Sequence, residues 1–187
     1  MKPRENPFRS ECVEGLRYRV PGVGAGALLP MLLARFEGLG FRGALVGPKG
    51  HGKTTLLEEF AVYMRREGYP VRVLYARVGE RLALLGAVSS GEIVCLNGAE
   101  ALSFLGWWRF RWEARGTAGI LVTAHRVGLL PRLWLCETSV ELFEELVGEL
   151  APGVDAKGVF ERHGGNVREA FRELYRRCAG LEQTPDL

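Results

Sequence analysis

Cysteine is scarce and scattered in this chain. Cys12, Cys95, Cys136 and Cys178 include no C-x-x-C pair, so neither zinc spacing nor a dense disulfide framework is present. A reducing cytoplasm is the simplest compartment for such a chain, and Cys95, inside an apolar run, reads as a small buried hydrophobe. A membrane-length apolar run is also lacking. The stretch Gly22 to Ala34, GVGAGALLPMLLA, is too short to span a bilayer. It follows Glu5, Glu11 and Glu14 rather than the short basic start of a signal peptide. A short helix entered through Pro30 is the expected structure there. Lysine is rare, at positions 2, 49, 53 and 157 only, and arginine carries most of the positive charge. The excess of 25 basic over 22 acidic residues leaves a net charge of +3, too weak a bias to establish a nucleic-acid partner. There is no internal repeat and no low-complexity segment. At 187 residues, 47% hydrophobic and 25% charged, the chain has the composition of a soluble globular protein. Its length suits one domain, with or without a small appendage.

What is present is a glycine-rich run, Gly47-Pro48-Lys49-Gly50-His51-Gly52-Lys53-Thr54, which fits the phosphate-binding pattern G-x-x-x-x-G-K-[ST] at every position. Gly47, Gly50 and Gly52 allow backbone angles and close approach that a Cβ forbids. The N–H groups of the loop and the dipole of the helix that follows favour an anion. In this pattern Lys53 reaches the outer phosphates, the Thr54 hydroxyl ligates Mg²⁺, and Thr55 reaches an inner phosphate. His51 and Pro48 fill variable positions, and His51 contributes mainly its N–H. The pattern carries weight only between a strand and an amphipathic helix, and both are expected here.

The strand is Phe41–Val46. The helix runs from about Lys53 to Glu67, with Leu56, Leu57, Phe60, Ala61 and Met64 at helical spacing, and Gly68-Tyr69-Pro70 stops it. Further strands are expected at Val71–Ala76, Glu92–Leu96, Gly119–Thr123 and Leu133–Cys136. Helices are expected around Glu80 to Val88 and from about Ala99 to Arg115. Alternating strands and helices imply an α/β fold with a parallel five-stranded sheet flanked by helices, with the loop at the ligand-binding carboxyl end of its first strand. From Thr138 onward only helices are expected. Thr138 or Ser139 caps one that ends near Leu150, Asp155 caps a second, and Asn166 caps a third, with Glu169 three residues on. The tail Gln183 to Leu187 is expected to fray. The implied division is an N-terminal linker segment 1–40, a P-loop nucleotide-binding core 41–138 and a small C-terminal helical lid 139–187.

These residues resemble the P-loop NTPase superfamily, and the later ones are similar to its AAA+ and STAND-like branch. IVCLNGAEAL, Ile93 to Leu102, resembles a Walker B strand with its acidic end. GILVTAHR, Gly119 to Arg126, places Thr123 where AAA+ proteins carry sensor 1. Gly165-Asn166-Val167-Arg168-Glu169-Ala170 resembles the sensor 2 segment of an AAA+ lid. The resemblance covers Gly43 to Ala179. It implies an ATPase with ATP and Mg²⁺ as cofactors, ATP lying between core and lid, and Arg168 touching the γ-phosphate. An Arg suits that role because its fork matches phosphate oxygens and its charge is permanent. Plainer readings stand beside these: Arg168 as a surface Arg, and Thr123 as a strand-ending Thr.

The departure from the family pattern is Asn97, where Walker B ends in Asp. An amide oxygen accepts a bond from a metal-bound water but brings no negative charge. Glu100 is the nearest acid. It either orients the attacking water or is a first-turn Glu favoured by the helix dipole. The expectation is Mg-ATP binding with slow hydrolysis, coupled to a conformational change or to an unidentified protein partner or homo-oligomer. A non-catalytic nucleotide-binding scaffold is the alternative. A small-molecule kinase fits less well, because no Arg-rich substrate lid interrupts the core. The helix with Phe104, Trp107, Trp108, Phe110 and Trp112 also carries Arg109, Arg111 and Arg115. Its face of Leu105, Trp108 and Trp112 is expected to pack on the sheet. Trp107 and Arg111, on another face, are then the interface candidates.

Overall fold

The computed structural model describes residues 5–24, 26–77 and 89–181. The helix expected around Glu80 to Val88 and the tail Gln183 to Leu187 lie outside the described residues. The chain divides into two compact units. One comprises residues 22–48 and 53–136; the other comprises residues 1–21, 49–52 and 137–187.

The first unit is an α/β layer structure. Its strands are β1 (Arg42–Val46), β2 (Val71–Tyr75), β3 (Ile93–Asn97), β4 (Gly119–Ala124) and β5 (Arg132–Leu135). They form one sheet in the order β2-β3-β4-β1-β5, and every neighbouring pair is parallel. In β1, β3 and β4 successive residues are buried whichever way they point. That is the pattern of a sheet covered on both faces, and it explains why these strands read as continuous apolar runs. The helices α2 (Leu28–Gly38) and α3 (Lys53–Arg66) contribute Leu32, Phe36, Leu56, Phe60 and Met64 to the core. Phe36 packs edge-on against Phe60. Pro30 sits in the first turn of α2, as expected. Cys95 is fully buried, and burial pushes its thiol up to about 12.

The second face is covered by α4 (Phe104–Glu113). Phe110 and, just beyond the helix, Ala114 are fully buried against Val94, Leu96, Ile120 and Val122, and Trp107 packs at the edge of the same cluster. Two expectations are corrected here. The single helix from Ala99 to Arg115 is broken. A short 3-10 turn, Ala99–Ala101, is followed by extended Leu102, and α4 starts afresh from Ser103, whose hydroxyl accepts from Gly106 N. Nor does the face of Leu105, Trp108 and Trp112 pack on the sheet; these side chains are 74%, 61% and 54% exposed. Their spacing does put them on one face, but the face that closes on the sheet is that of Trp107, Phe110 and Ala114. Trp107 is accordingly a packing residue, while Arg111 is exposed.

The second unit is helical: α1 (Ser10–Glu14), α5 (Val140–Leu150), α6 (Ala156–Arg162) and α7 (Val167–Cys178). Ser139, Asp155 and Asn166 cap α5, α6 and α7 as expected, each accepting from the N–H three residues on. Phe143, Phe160 and Phe171 pack together at the centre. Of the N-terminal segment, the residues before Gly22 belong to this unit, while Gly22 onward, with α2, belongs to the sheet unit. Phe8 is buried against Phe171, and the amide of buried Asn6 donates to the Tyr175 carbonyl at 2.8 Å while accepting from Phe8 N at 2.9 Å. Arg19 forms an ion pair with Glu149. Glu173 gathers Arg162, His163 and Arg177 around one carboxylate.

Candidate functional site

The glycine run leaves β1 and enters α3, the local context its pattern requires. Gly47 N donates to the Ala124 carbonyl at 3.2 Å, tying the strand end to β4. A Cβ at Gly47 would collide with the carbonyl of Cys136, so close approach excludes any larger residue there. The chain then turns through Gly50 and Gly52, with φ of +86° and +74°, the left-handed region where glycine has no steric cost. In the helical unit, a Cβ at Gly50 would strike the Asn166 amide and one at Gly52 the Tyr18 ring. The N–H groups of Gly50, Gly52 and Thr54 bond to no main-chain carbonyl among the described residues. Donors of this kind at a helix start make a ready anion site.

Lys53 is the first residue of α3 and is buried. Its Nζ donates to the carbonyls of Gly47 at 2.7 Å and Pro48 at 2.6 Å. The ammonium is thereby held over the loop, solvated by two backbone oxygens in place of water. Pro48 is exposed, and His51 and Thr55 are partly buried.

Three of the residues singled out in the sequence meet at the ends of β3 and β4. The Thr54 hydroxyl donates to Asn97 Oδ1 at 3.2 Å, and the Thr123 hydroxyl donates to the same oxygen at 2.9 Å. Thr123, almost fully buried, in turn accepts from Gly98 N at 2.7 Å. Asn97 is thus the hub of a neutral network whose amide oxygen receives two hydroxyl protons. Gly98, at φ +84°, turns the chain directly after it.

Glu100 falls in the 3-10 turn after β3 and pairs with His125 Nε2 at 3.0 Å. No pattern in the sequence singles out His125 as its neighbour. Arg168 is exposed at the second position of α7 and belongs to the helical unit, whereas Thr54, Asn97 and Thr123 belong to the sheet unit. Sequence reasoning also missed Tyr18 and Cys136, which crowd Gly52 and Gly47. No local motif marks either one, since each is brought to the loop by the fold.

The donor set decides what the site can hold. Glycine-lined N–H groups and a buried ammonium suit a polyphosphate. The metal-side oxygens, a Thr hydroxyl and an Asn amide, are neutral. They are compatible with a hydrated Mg²⁺ held mainly through phosphate oxygens. Among the described residues no cluster of three or more His, Cys, Asp or Glu side chains could hold a metal ion. No described helix is long and apolar enough to cross a membrane.

No protein-family model matches the sequence, and no curated protein sequence matches it. Among solved structures, the chain is similar to the ORC1 protein of Aeropyrum pernix, determined in complex with DNA. The TM-score is 0.56 and the identity 15%, over 96% of this chain. The chain spans 65% of the length of that protein. At this identity the likeness speaks for the fold alone: a five-stranded parallel sheet with flanking helices and C-terminal helices.

Proposed function

We propose that this chain is an ATP-binding P-loop protein of the AAA+-like type, with core 41–138 and helical lid 139–187. It couples Mg-ATP binding, with slow hydrolysis, to a conformational change or a partner interaction. The observation that carries the reading is the loop itself. It has a complete glycine pattern at the end of a buried strand, two left-handed glycines, and a buried Lys53 ammonium poised over it.

In this reading the loop N–H groups bind the phosphates and Lys53 supplies the point charge for the outer ones. Thr54 and Asn97 hold the hydrated metal, which neutralises phosphate charge when bound. Thr123 fixes Asn97 from the far side, so that the amide presents its oxygen in one orientation. Glu100 is the acid available to orient a water, and in this structure its carboxylate is engaged by His125. Arg168 is the lid's candidate for reading the γ-phosphate.

The neutral Thr54–Asn97–Thr123 network and the His125–Glu100 pair favour a second reading, a nucleotide-binding scaffold that does not turn over. ATP binding by calorimetry and phosphate release, measured together, separate the two. Lys53→Ala is expected to weaken ATP binding by about 100-fold, the loss of about 2.7 kcal/mol of charge-assisted bonding. If Lys53→Ala binds ATP as tightly as the unmodified chain, both readings fail. If the unmodified chain binds ATP and releases no phosphate, the scaffold reading stands.

A further inference from the structure

Among the described residues, the outer face of α4 carries exposed apolar side chains. Phe104 is 82% exposed, Leu105 74%, Trp108 61% and Trp112 54%, while Phe110 and Ala114 on the opposite side are fully buried and anchor the helix to the sheet. Single apolar residues on a surface are ordinary, but four large ones along one ten-residue helix form a continuous stripe. Positions 104, 108 and 112 follow i, i+4, i+8 spacing, and 105, 108 and 112 follow i, i+3, i+7, the spacings by which a helix seats its apolar edge in a partner's groove.

The charges around the stripe say what the groove must be. Arg111 lies seven residues after Phe104 on α4 and so borders the stripe, and Arg115, in the 3-10 turn just beyond the helix, meets it at Trp112. Arg109 is engaged by Glu113 at 2.6 Å. Arg111 is exposed, and Arg115 lies over the Trp112 ring, 3.6 Å from its centroid. We propose that the α4 face Phe104–Trp112 docks into an apolar groove of a different protein, and that this groove is rimmed with Asp and Glu side chains that pair with Arg111 and Arg115.

Other occupants fit less well. Single-stranded nucleic acid needs open indole faces on which bases stack. Trp108 and Trp112 already stack on each other at 6.1 Å and 14°, and Arg115 occupies Trp112 further. A second copy, paired symmetrically through this face, would bring arginines against arginines, with Glu113 already used by Arg109. A lipid surface gains affinity with buried apolar area, and this stripe is limited to four side chains of one short helix, with arginines at its border.

Docking at this face does not require nucleotide. The test is selection of a displayed library of randomised two-helix hairpins on the full chain, counter-selected on a Leu105→Ser/Trp108→Ser variant. Both positions are exposed, so the variant should keep its circular dichroism and melting temperature. The expected result is enriched hairpins with an apolar seam flanked by Asp and Glu. Their affinity should fall at least 10-fold on the double variant and on Arg111→Glu, and recover on Arg111→Glu when the hairpin acids are changed to Lys. If the double variant loses structure, Arg111→Glu and its charge-swapped hairpin carry the test by themselves. The proposal is overturned if no hairpin discriminates the variants, or if the enriched seams lack acids. It is overturned equally if the stripe mediates self-association in sedimentation, binding of a 30-nucleotide oligo-dT, or binding of phosphatidylserine vesicles.

Discussion

Replacing Asn97 with Asp tests whether the missing carboxylate sets the hydrolysis rate. In the free protein the change is nearly balanced. The introduced carboxylate would accept the same two hydroxyl bonds from Thr54 and Thr123, now charge-assisted and roughly twice as strong, a gain of about 1–2 kcal/mol. Desolvating a carboxylate at a half-buried strand end costs a similar amount, so stability should change by no more than about 1 kcal/mol. With Mg-ATP bound the balance shifts. A carboxylate one water away from the ion, at roughly 4–5 Å and an effective dielectric of about 20, interacts by about 3–4 kcal/mol per unit of charge on the ion. Part of this is lost to desolvation, and a 10–100-fold effect, about 1.4–2.8 kcal/mol, is the expected remainder. Phosphate release should be measured at saturating ATP across a Mg²⁺ titration, with ATP binding measured in EDTA alongside. Turnover should rise about 10–100-fold and half-saturation with Mg²⁺ should fall by a similar factor. ATP affinity in EDTA should stay the same or weaken. An unmodified chain that already hydrolyses ATP rapidly, with Asn97→Asp changing neither quantity, would refute the reasoning.

Thr123→Val keeps the shape of a buried residue but removes its donation to Asn97 and leaves Gly98 N–H unpaired. A loss of about 2–3 kcal/mol is expected in urea unfolding, and a change under about 0.5 kcal/mol would show that the network carries no stability. Glu173 gives a pH prediction. Burial opposes its charge, but hydrogen bonds from Arg162 and His163 and the charge of Arg177 outweigh that and hold the carboxyl below its ordinary 4.5. Because the folded value is depressed, the stabilisation is full above that ordinary value and is lost as pH falls through the lower folded one. Melting temperature followed from pH 7 downward should drop below about pH 4.5, with a shallower drop in Glu173→Gln; equal slopes would contradict the assignment.

The strands and the phosphate loop were legible because both depend on local pattern. Runs such as Ile93–Leu96 and Gly119–Val122 are apolar at every position since both sheet faces are covered. The three C-terminal caps could be read because Ser139, Asp155 and Asn166 act on N–H groups three residues away. The aromatic helix was legible in phase but not in direction. Periodicity groups Leu105 with Trp108 and Trp112, yet it does not say which of two apolar faces meets the sheet; that is decided by Val94, Leu96, Ile120 and Val122, which lie on other elements. The break at Leu102–Ser103 was hidden because Ser103 is an ordinary helix residue until its hydroxyl is seen to cap Gly106. At the site, Asn97 stood out as a departure from a pattern. Its bond to Thr123, 26 residues away, and the Glu100–His125 pair depend on β3 and β4 lying side by side.

The bond from Asn6 to the Tyr175 carbonyl has a consequence for how the chain is made. The two residues are separated by 169 positions, and Phe8 likewise waits for Phe171. At roughly 5–20 residues per second on the ribosome, the N-terminal segment emerges about 10–30 s before its partners exist. Throughout that interval Phe8 and Asn6 have no native site, while all five strands and α2 to α4 have already been synthesised by its end. The order of completion is then imposed by synthesis: the sheet unit can close first, and the helical unit becomes foldable only when α7 has emerged.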